Sequence, residues 1–179
     1  MSFLRRIDDS DIFFLNVKNK IDHRGGLCKV FQESWFTGNF NFTPKECYFS
    51  TSNENVLRGF HLQINESSQG KIVSCISGKV LDVVVDLRMG TNFGKVYSTY
   101  LDSNSSDTIF IPKGFGHSFL NLEQNQAVLL YLVETEHDPI NDTGVLWNSV
   151  DYNWPINDPL ISSRDKSLPN IESFEPLIL

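Results

Sequence analysis

The sequence predicts an all-β fold, a sandwich or barrel of many short strands. One observation is the segment Lys79–Arg88. Leu81, Val83, Val85 and Leu87 share one of its faces, and Val80, Asp82, Val84, Asp86 and Arg88 the other. Such period-two alternation marks a strand. Its half-polar second face fits a wall lining a polar cavity, and equally a sheet facing solvent. The other observation is punctuation. From Cys47 onward, short β-type runs are separated by Gly90, Gly94, Asn104, Gly114 and Asn125, residues that favour turns.

Taken in order, residues 1–20 are a lead-in and a first strand, with Ile12, Phe13, Phe14, Leu15 and Val17 as apolar content. Asp22-His23-Arg24-Gly25-Gly26 is a turn, since glycine adopts positive φ at little cost. Leu27–Phe31 follows as a strand, and the aromatic run Ser34–Phe42 as a short helix or loop. Further strands are expected at Cys47–Ser52, Val56–Leu62, Lys71–Ile76, Lys79–Arg88, Val96–Leu101, Thr108–Ile111, Ser118–Leu122 and Ala127–Val133. Ser77-Gly78 reads as a tight hairpin turn between two of them. Asp138–Thr143 is a loop and Gly144–Trp147 a short strand. Beyond it Pro155, Pro159, Pro169 and Pro176 keep the tail irregular, with one short helix near Ser162–Lys166. The chain reads as a single domain over residues 1–179, with a core of about 20–150 and a C-terminal segment 151–179 packing near the site.

Hydrophobic residues make up 40% of the chain and charged residues 21%, an ordinary globular composition. No apolar run approaches the roughly 18 residues of a membrane helix. The opening MSFLRRIDDSDIFFL puts acids ahead of a short apolar run, unlike a signal peptide. A cytoplasmic protein with no membrane partner is the expectation. A net charge of −7 argues against nucleic-acid binding, which relies on basic residues, but leaves room for a local basic pocket. Cys28, Cys47 and Cys75 form no CxxC pair, so they read as small buried apolar groups rather than disulfides or zinc ligands.

The densest chemistry lies in Asn55–Lys71, which gathers Arg58, His61, Gln63 and Lys71. On a strand, His61 and Gln63 share one face and Phe60 and Leu62 the other. Two cations, a histidine and an amide near one cavity suit an anionic substrate that loses a proton. The same residues also suit an exposed polar strand edge.

Ile111-Pro112-Lys113-Gly114-Phe115-Gly116-His117-Ser118-Phe119-Leu120-Asn121 matches PxGxxHxxxN. It resembles the second motif of the cupins, small jelly-roll β-barrels in which a proline–glycine turn leads into a strand carrying an inward histidine. The strings DHRGG, NVLRGFHLQ, QGK, DVVVDLR, IPKGFGHSFLNL, LLY, GVLWN, WP and SSRD also occur in a telling order and spacing. Over roughly residues 20–169 they resemble the dTDP-4-dehydrorhamnose 3,5-epimerases. The resemblance implies a cupin jelly-roll barrel with short peripheral helices and an irregular C-terminal tail. It also implies a cofactor-free, metal-free homodimer acting on a nucleotide-diphosphate sugar, at C3, C5 or both carbons of a 4-keto-hexose.

Position by position, the resemblance makes His61 the catalytic base and Asp165 the aspartate that hydrogen-bonds it. Lys71 lies near the C4 oxygen, and Tyr131 reprotonates from the opposite face. Arg58 and Arg24 bind the diphosphate, Arg24 from the neighbouring subunit. Gln63 and His137 join the substrate surround. His117 sits where the family has a second cavity histidine, and it reads equally as a structural cupin histidine. The chemistry suits these residue types. A 4-keto group acidifies C3 and C5, a histidine of pKa about 6.5 can take the proton, and an ammonium can stabilise the enolate oxygen.

The chain departs from the family pattern at Gly25-Gly26-Leu27-Cys28-Lys29, at Glu46-Cys47-Tyr48 and at Glu136-His137-Asp138-Pro139. Those differences bear on which nucleotide and sugar are accepted. Two other classes compete. A metal-dependent cupin isomerase or dioxygenase calls for a fuller donor set than His61-Leu62-Gln63 offers. A non-catalytic sugar-nucleotide binder has no need of a base and an acid together.

Overall fold

The alternation in Lys79–Arg88 resolves into a strand buried on both faces. Val80 and Val84 enter one hydrophobic cluster, and Leu81, Val83 and Val85 another. The polar residues on the face of Val80 and Val84, Asp82 and Asp86, are buried as well, so this half-polar face looks inward rather than to solvent.

The structure is a computed structural model that describes residues 4–15, 17, 19–36, 40 and 42–179. In chain order its strands begin with β1 (Leu4–Arg6), β2 (Phe13–Leu15), β3 (Asn19–Asp22), β4 (Gly25–Cys28), β5 (Glu46–Ser52) and β6 (Leu57–Gln63). They continue with β7 (Lys71–Ser77), β8 (Lys79–Asp86), β9 (Val96–Asp102), β10 (Thr108–Ile111), β11 (Phe115–Leu120), β12 (Ala127–Val133) and β13 (Asp142–Gly144). One sheet has the order β1-β2-β10-β7-β12-β5 and a second β13-β6-β11-β8-β9. Every pairing within them is antiparallel. This is the all-β jelly-roll architecture that the cupin motif implied.

Three apolar layers hold it. The central one lies between the sheets and joins Val73, Ile109 and Leu129 of the first to Val84, Leu101 and Phe119 of the second. The outer face of the second sheet, with Leu57, Phe60 and Leu62, is covered by Trp147, Trp154, Ile161 and Phe174 of the C-terminal segment. The outer face of the first carries Ile72 and Phe110 under Phe36, Phe40 and Phe42. Each fully buried side chain of this size contributes about 1.5–3 kcal/mol. The tail side chains are partly buried, so the irregular tail packs against the core as its cover, and it carries a short helix, α1 (Ser163–Lys166), capped by the Ser162 hydroxyl.

Several local expectations are corrected. Ser77-Gly78 does not close a hairpin, because β7 and β8 belong to different sheets. Gly78, at φ +78°, is the corner where the chain crosses between them. The first strand divides into β1 and β2, and Met1–Phe3, Asn16 and Lys18 lie outside the described residues. The turn at Asp22–Gly26 narrows to His23-Arg24, since Asp22 pairs with Gly25, and its second strand is Gly25–Cys28 rather than Leu27–Phe31. Ser34–Phe42 contributes a 3-10 turn at Glu33–Trp35, with Thr37, Gly38, Asn39 and Asn41 outside the described residues. The strand expected at Ser118–Leu122 is Phe115–Leu120, and that at Gly144–Trp147 is Asp142–Gly144. Of the cysteines, Cys75 is buried, Cys28 intermediate and Cys47 exposed.

One irregularity shapes the site. Between β6 and β11 the register runs His61↔His117 and then Arg58↔Phe119, three residues against two. This bulge resets the pleat, so Leu57 joins Phe60 and Leu62 on the outer face. Strict alternation would have put Arg58 outward; the bulge turns it to the side of His61. Gly59 sits in the bulge at φ +111°, where a Cβ would collide with the His117 carbonyl oxygen. Gly59→Ala is therefore expected to cost about 2 kcal/mol or more. Calorimetry should show the thermal midpoint falling by about 5 °C or more; an unchanged midpoint would mean that the bulge accommodates a side chain.

Candidate active site

A cavity of about 290 Å³ opens at one end of the two sheets. β6 brings His61 and Gln63 to it, β7 begins there with Lys71, and β5 adds Glu46 and Tyr48. His61 and Gln63 thus share a face, as the alternation predicts.

His61 Nε2 lies 2.9 Å from Asp165 Oδ1. The second carboxylate oxygen accepts the Gly59 N–H at 3.1 Å. Burial alone would raise the Asp165 pKa. The His61 hydrogen bond and charge, with the N–H of Gly59, outweigh it and bring the group down to about 2. Asp165 therefore stays a carboxylate that receives the Nε2 proton, and Nδ1 is the ring nitrogen left to act as a base. Lys71 is buried, its Nζ 3.4 Å from the His61 carbonyl oxygen. Burial depresses its ammonium to about 8, although the carboxylates of Asp142 and Asp82 pull the other way.

Tyr131 lies deeper, buried between the sheets. Its ring stacks on Tyr48, with centroids 4.8 Å apart, and meets His117 edge-on. Burial pushes its hydroxyl well above the ordinary tyrosine range. His117 is also buried, and its Nε2 is 2.7 Å from Asp82 Oδ2. Neither residue lines the cavity.

Gln63 holds the following loop. It donates to His137 Nδ1 at 3.0 Å and accepts the Asp138 N–H at 3.1 Å. Arg58 is exposed and donates to the Ser52 hydroxyl and the Thr51 carbonyl. Arg24 is not brought to the cavity by its own chain. It stands on the β3–β4 hairpin with its side chain 79% exposed, paired to Asp22 at 2.7 Å. Among the described residues no three His, Cys, Asp or Glu side chains converge to hold a metal ion. No helix is long and apolar enough to cross a membrane.

Residues 7–173 match the family described as dTDP-4-dehydrorhamnose 3,5-epimerase. The chain belongs to that family. It is 34% identical to the dTDP-4-dehydrorhamnose 3,5-epimerase of Escherichia coli over 169 residues, 91% of each chain. The crystal structure of the enzyme of that name from Sulfolobus tokodaii superposes with a TM-score of 0.90 at 29% identity, covering 99% of this chain and 100% of the other. A 3'-monoepimerase from Streptomyces bikiniensis in complex with dTDP-quinovose superposes with a TM-score of 0.84 at 27% identity, covering 90% and 84%.

Within this epimerase the site includes residues that the motifs did not mark. Glu46 and Tyr48 alternate on β5, and Tyr48 pairs directly with Tyr131. That register is invisible in one strand alone. Asp142 pairs with Gln63 across β13 and β6 and binds Arg164 at 2.7 Å. Arg164, next to Asp165 in SSRD, was the most legible of these. The pKa of Asp165 is lower folded than its ordinary 3.8, so it stabilises the fold above that value. That stability is lost as pH falls toward about 2. Asp165→Asn is expected to flatten the stability of the protein between those two values, measured by urea unfolding at stepped pH. A profile identical to wild type would separate Asp165 from acid stability.

Proposed function

We propose that this enzyme epimerises a dTDP-linked 4-keto-6-deoxyhexose at C3, C5 or both. The observation that carries this reading is His61 on one sheet, held by Asp165 of α1, facing Lys71 and the Tyr48–Tyr131 stack on the other sheet. A sugar between the sheets meets a base from one side and hydroxyls from the other, which is what inversion needs.

His61 Nδ1 takes the proton beside the C4 ketone. The Asp165 carboxylate fixes the ring and stabilises the imidazolium. Charge then collects on O4, where the buried ammonium of Lys71 offsets it more strongly than it would in water. Tyr131 returns a proton from the far side, which requires the sugar to reach past the cavity lining to the hydroxyl stacked on Tyr48. His137, held by Gln63, borders the sugar, and Arg58 binds the diphosphate. Arg24 reaches the diphosphate in the partner's site of a homodimer, which accounts for a hairpin that pairs with neither main sheet and leaves Ile21 75% exposed. His117, bonded to Asp82, shapes the deep wall. A cytoplasmic setting completes the proposal.

The deciding experiment is incubation with dTDP-4-keto-6-deoxyglucose in deuterium oxide, read carbon by carbon by NMR. Wild type is expected to take up deuterium with inversion. His61→Asn should keep nucleotide binding and lose exchange by about 10²–10⁴-fold. Exchange at the wild-type rate in that variant would remove His61 as the base. Lys71 acts as the ammonium, so kcat/KM should fall as pH rises through about 8. Lys71→Gln should be slower at neutral pH and lack that alkaline limb; a limb persisting in the variant would assign it elsewhere. Sedimentation should show a dimer, and Arg24→Ala should weaken dTDP binding at both sites. A fully active monomer would overturn the shared site.

A further inference from the structure

The two carbons beside a C4 ketone lie on opposite sides of the carbonyl. A ring held through O4 therefore presents them to two different places on the cavity wall. An acid works only within hydrogen-bond reach of its carbon, so one fixed hydroxyl does not serve both. The wall opposite His61 belongs to the sheet of β5, β12 and β7. There Tyr48 and Tyr131 are direct cross-strand partners, and their rings are 13° from parallel.

The two tyrosines differ in access. Tyr131 is buried and outside the cavity lining, whereas Tyr48 lines the cavity with His61 and Lys71 and is 43% exposed. Among the described residues lining the cavity, Tyr48 carries the only hydroxyl. Its other polar groups on the rim are engaged. Asp142 binds Arg164, Glu46 accepts the His137 N–H, and His137 Nδ1 accepts from Gln63.

We propose that Tyr48 is a second catalytic acid, donating to the carbon beside the ketone that Tyr131 does not serve. This rests on the epimerase reading above. In the step, the electron pair of the enolate C=C forms a C–H bond with the Tyr48 proton. The phenolic O–H breaks and the C4 carbonyl re-forms. The phenolate regains a proton from water at the open side of the cavity, while His61 releases its own to solvent. Burial and the carboxylates of Glu46 and Asp142 push the Tyr48 hydroxyl up to about 12, so the phenolate recaptures a proton readily at neutral pH.

The test compares Tyr48→Phe with Tyr131→Phe on dTDP-4-keto-6-deoxyglucose in deuterium oxide. Stereochemistry and deuterium are read separately at C3 and C5. Tyr48→Phe keeps the stacked ring. It is expected to lose inversion at one carbon by about a hundredfold and to keep the other within about twofold. The affected carbon should still exchange with retention, since His61 can return a deuteron on the face it deprotonated. Tyr131→Phe should lose inversion at the other carbon. Tyr48→Leu is read in the same way should the phenylalanine variant fail to fold. The proposal is overturned if both inversions survive in Tyr48→Phe, if both variants lose the same carbon, or if wild type inverts one carbon only. Absence of exchange in wild type with every nucleotide 4-keto sugar would overturn the epimerase reading, and this proposal with it.

Discussion

The hydrogen bond from His61 to Asp165 is the contact on which the site depends. It joins an inner strand of the second sheet to a helical turn 104 residues later. A buried carboxylate left unpaired is costly, so Asp165 holds its place only while His61 and the Gly59 N–H meet it. Gly59 is the residue of the β6 bulge. The base, the bulge and the docking of the C-terminal segment are therefore one arrangement. The apolar cover supplied by Trp147, Trp154 and Phe174 keeps that segment against the sheet, and α1 delivers the carboxylate.

The space between the sheets is unusually polar for a core. Lys71, Asp82 and His117 are all buried there, and one Asp82 oxygen has no hydrogen-bond partner. Such groups weaken a fold unless paired. Here they compensate one another in part. Asp82 holds His117 and, with Asp142, keeps the Lys71 ammonium from losing its proton more readily still. The jelly roll tolerates this because its two outer faces are sealed by the N-terminal aromatics and the C-terminal segment. The apolar part of the central layer and the two outer layers supply the stability, and the polar groups occupy only part of the space between the sheets.

The loop after β12 is held differently. Gln63, Glu46 and Ser67 bind it through His137 and Asp138, and Asn141 closes it on the Asp138 carboxylate. Hydrogen bonds rather than buried apolar area fix its shape. Loops of this kind can change composition at little cost to the scaffold. That explains how the chain departs from its family pattern at Glu136–Pro139 while keeping the sheets intact.

By itself the sequence determined the strand content, the two faces of β8, the helix at α1 and the family, because these rest on local periodicity and on strings of adjacent residues. His61, Asp165 and Lys71 were legible for the same reason. Only the tertiary structure decided that Gly78 is a corner between sheets, that Arg58 turns to the side of His61, and that Tyr48 stands in the cavity above Tyr131. Each of these depends on register between strands distant in the chain. A bulge or a sheet crossing leaves nearly the same local pattern as the regular strand it interrupts, and cross-strand packing alone distinguishes them.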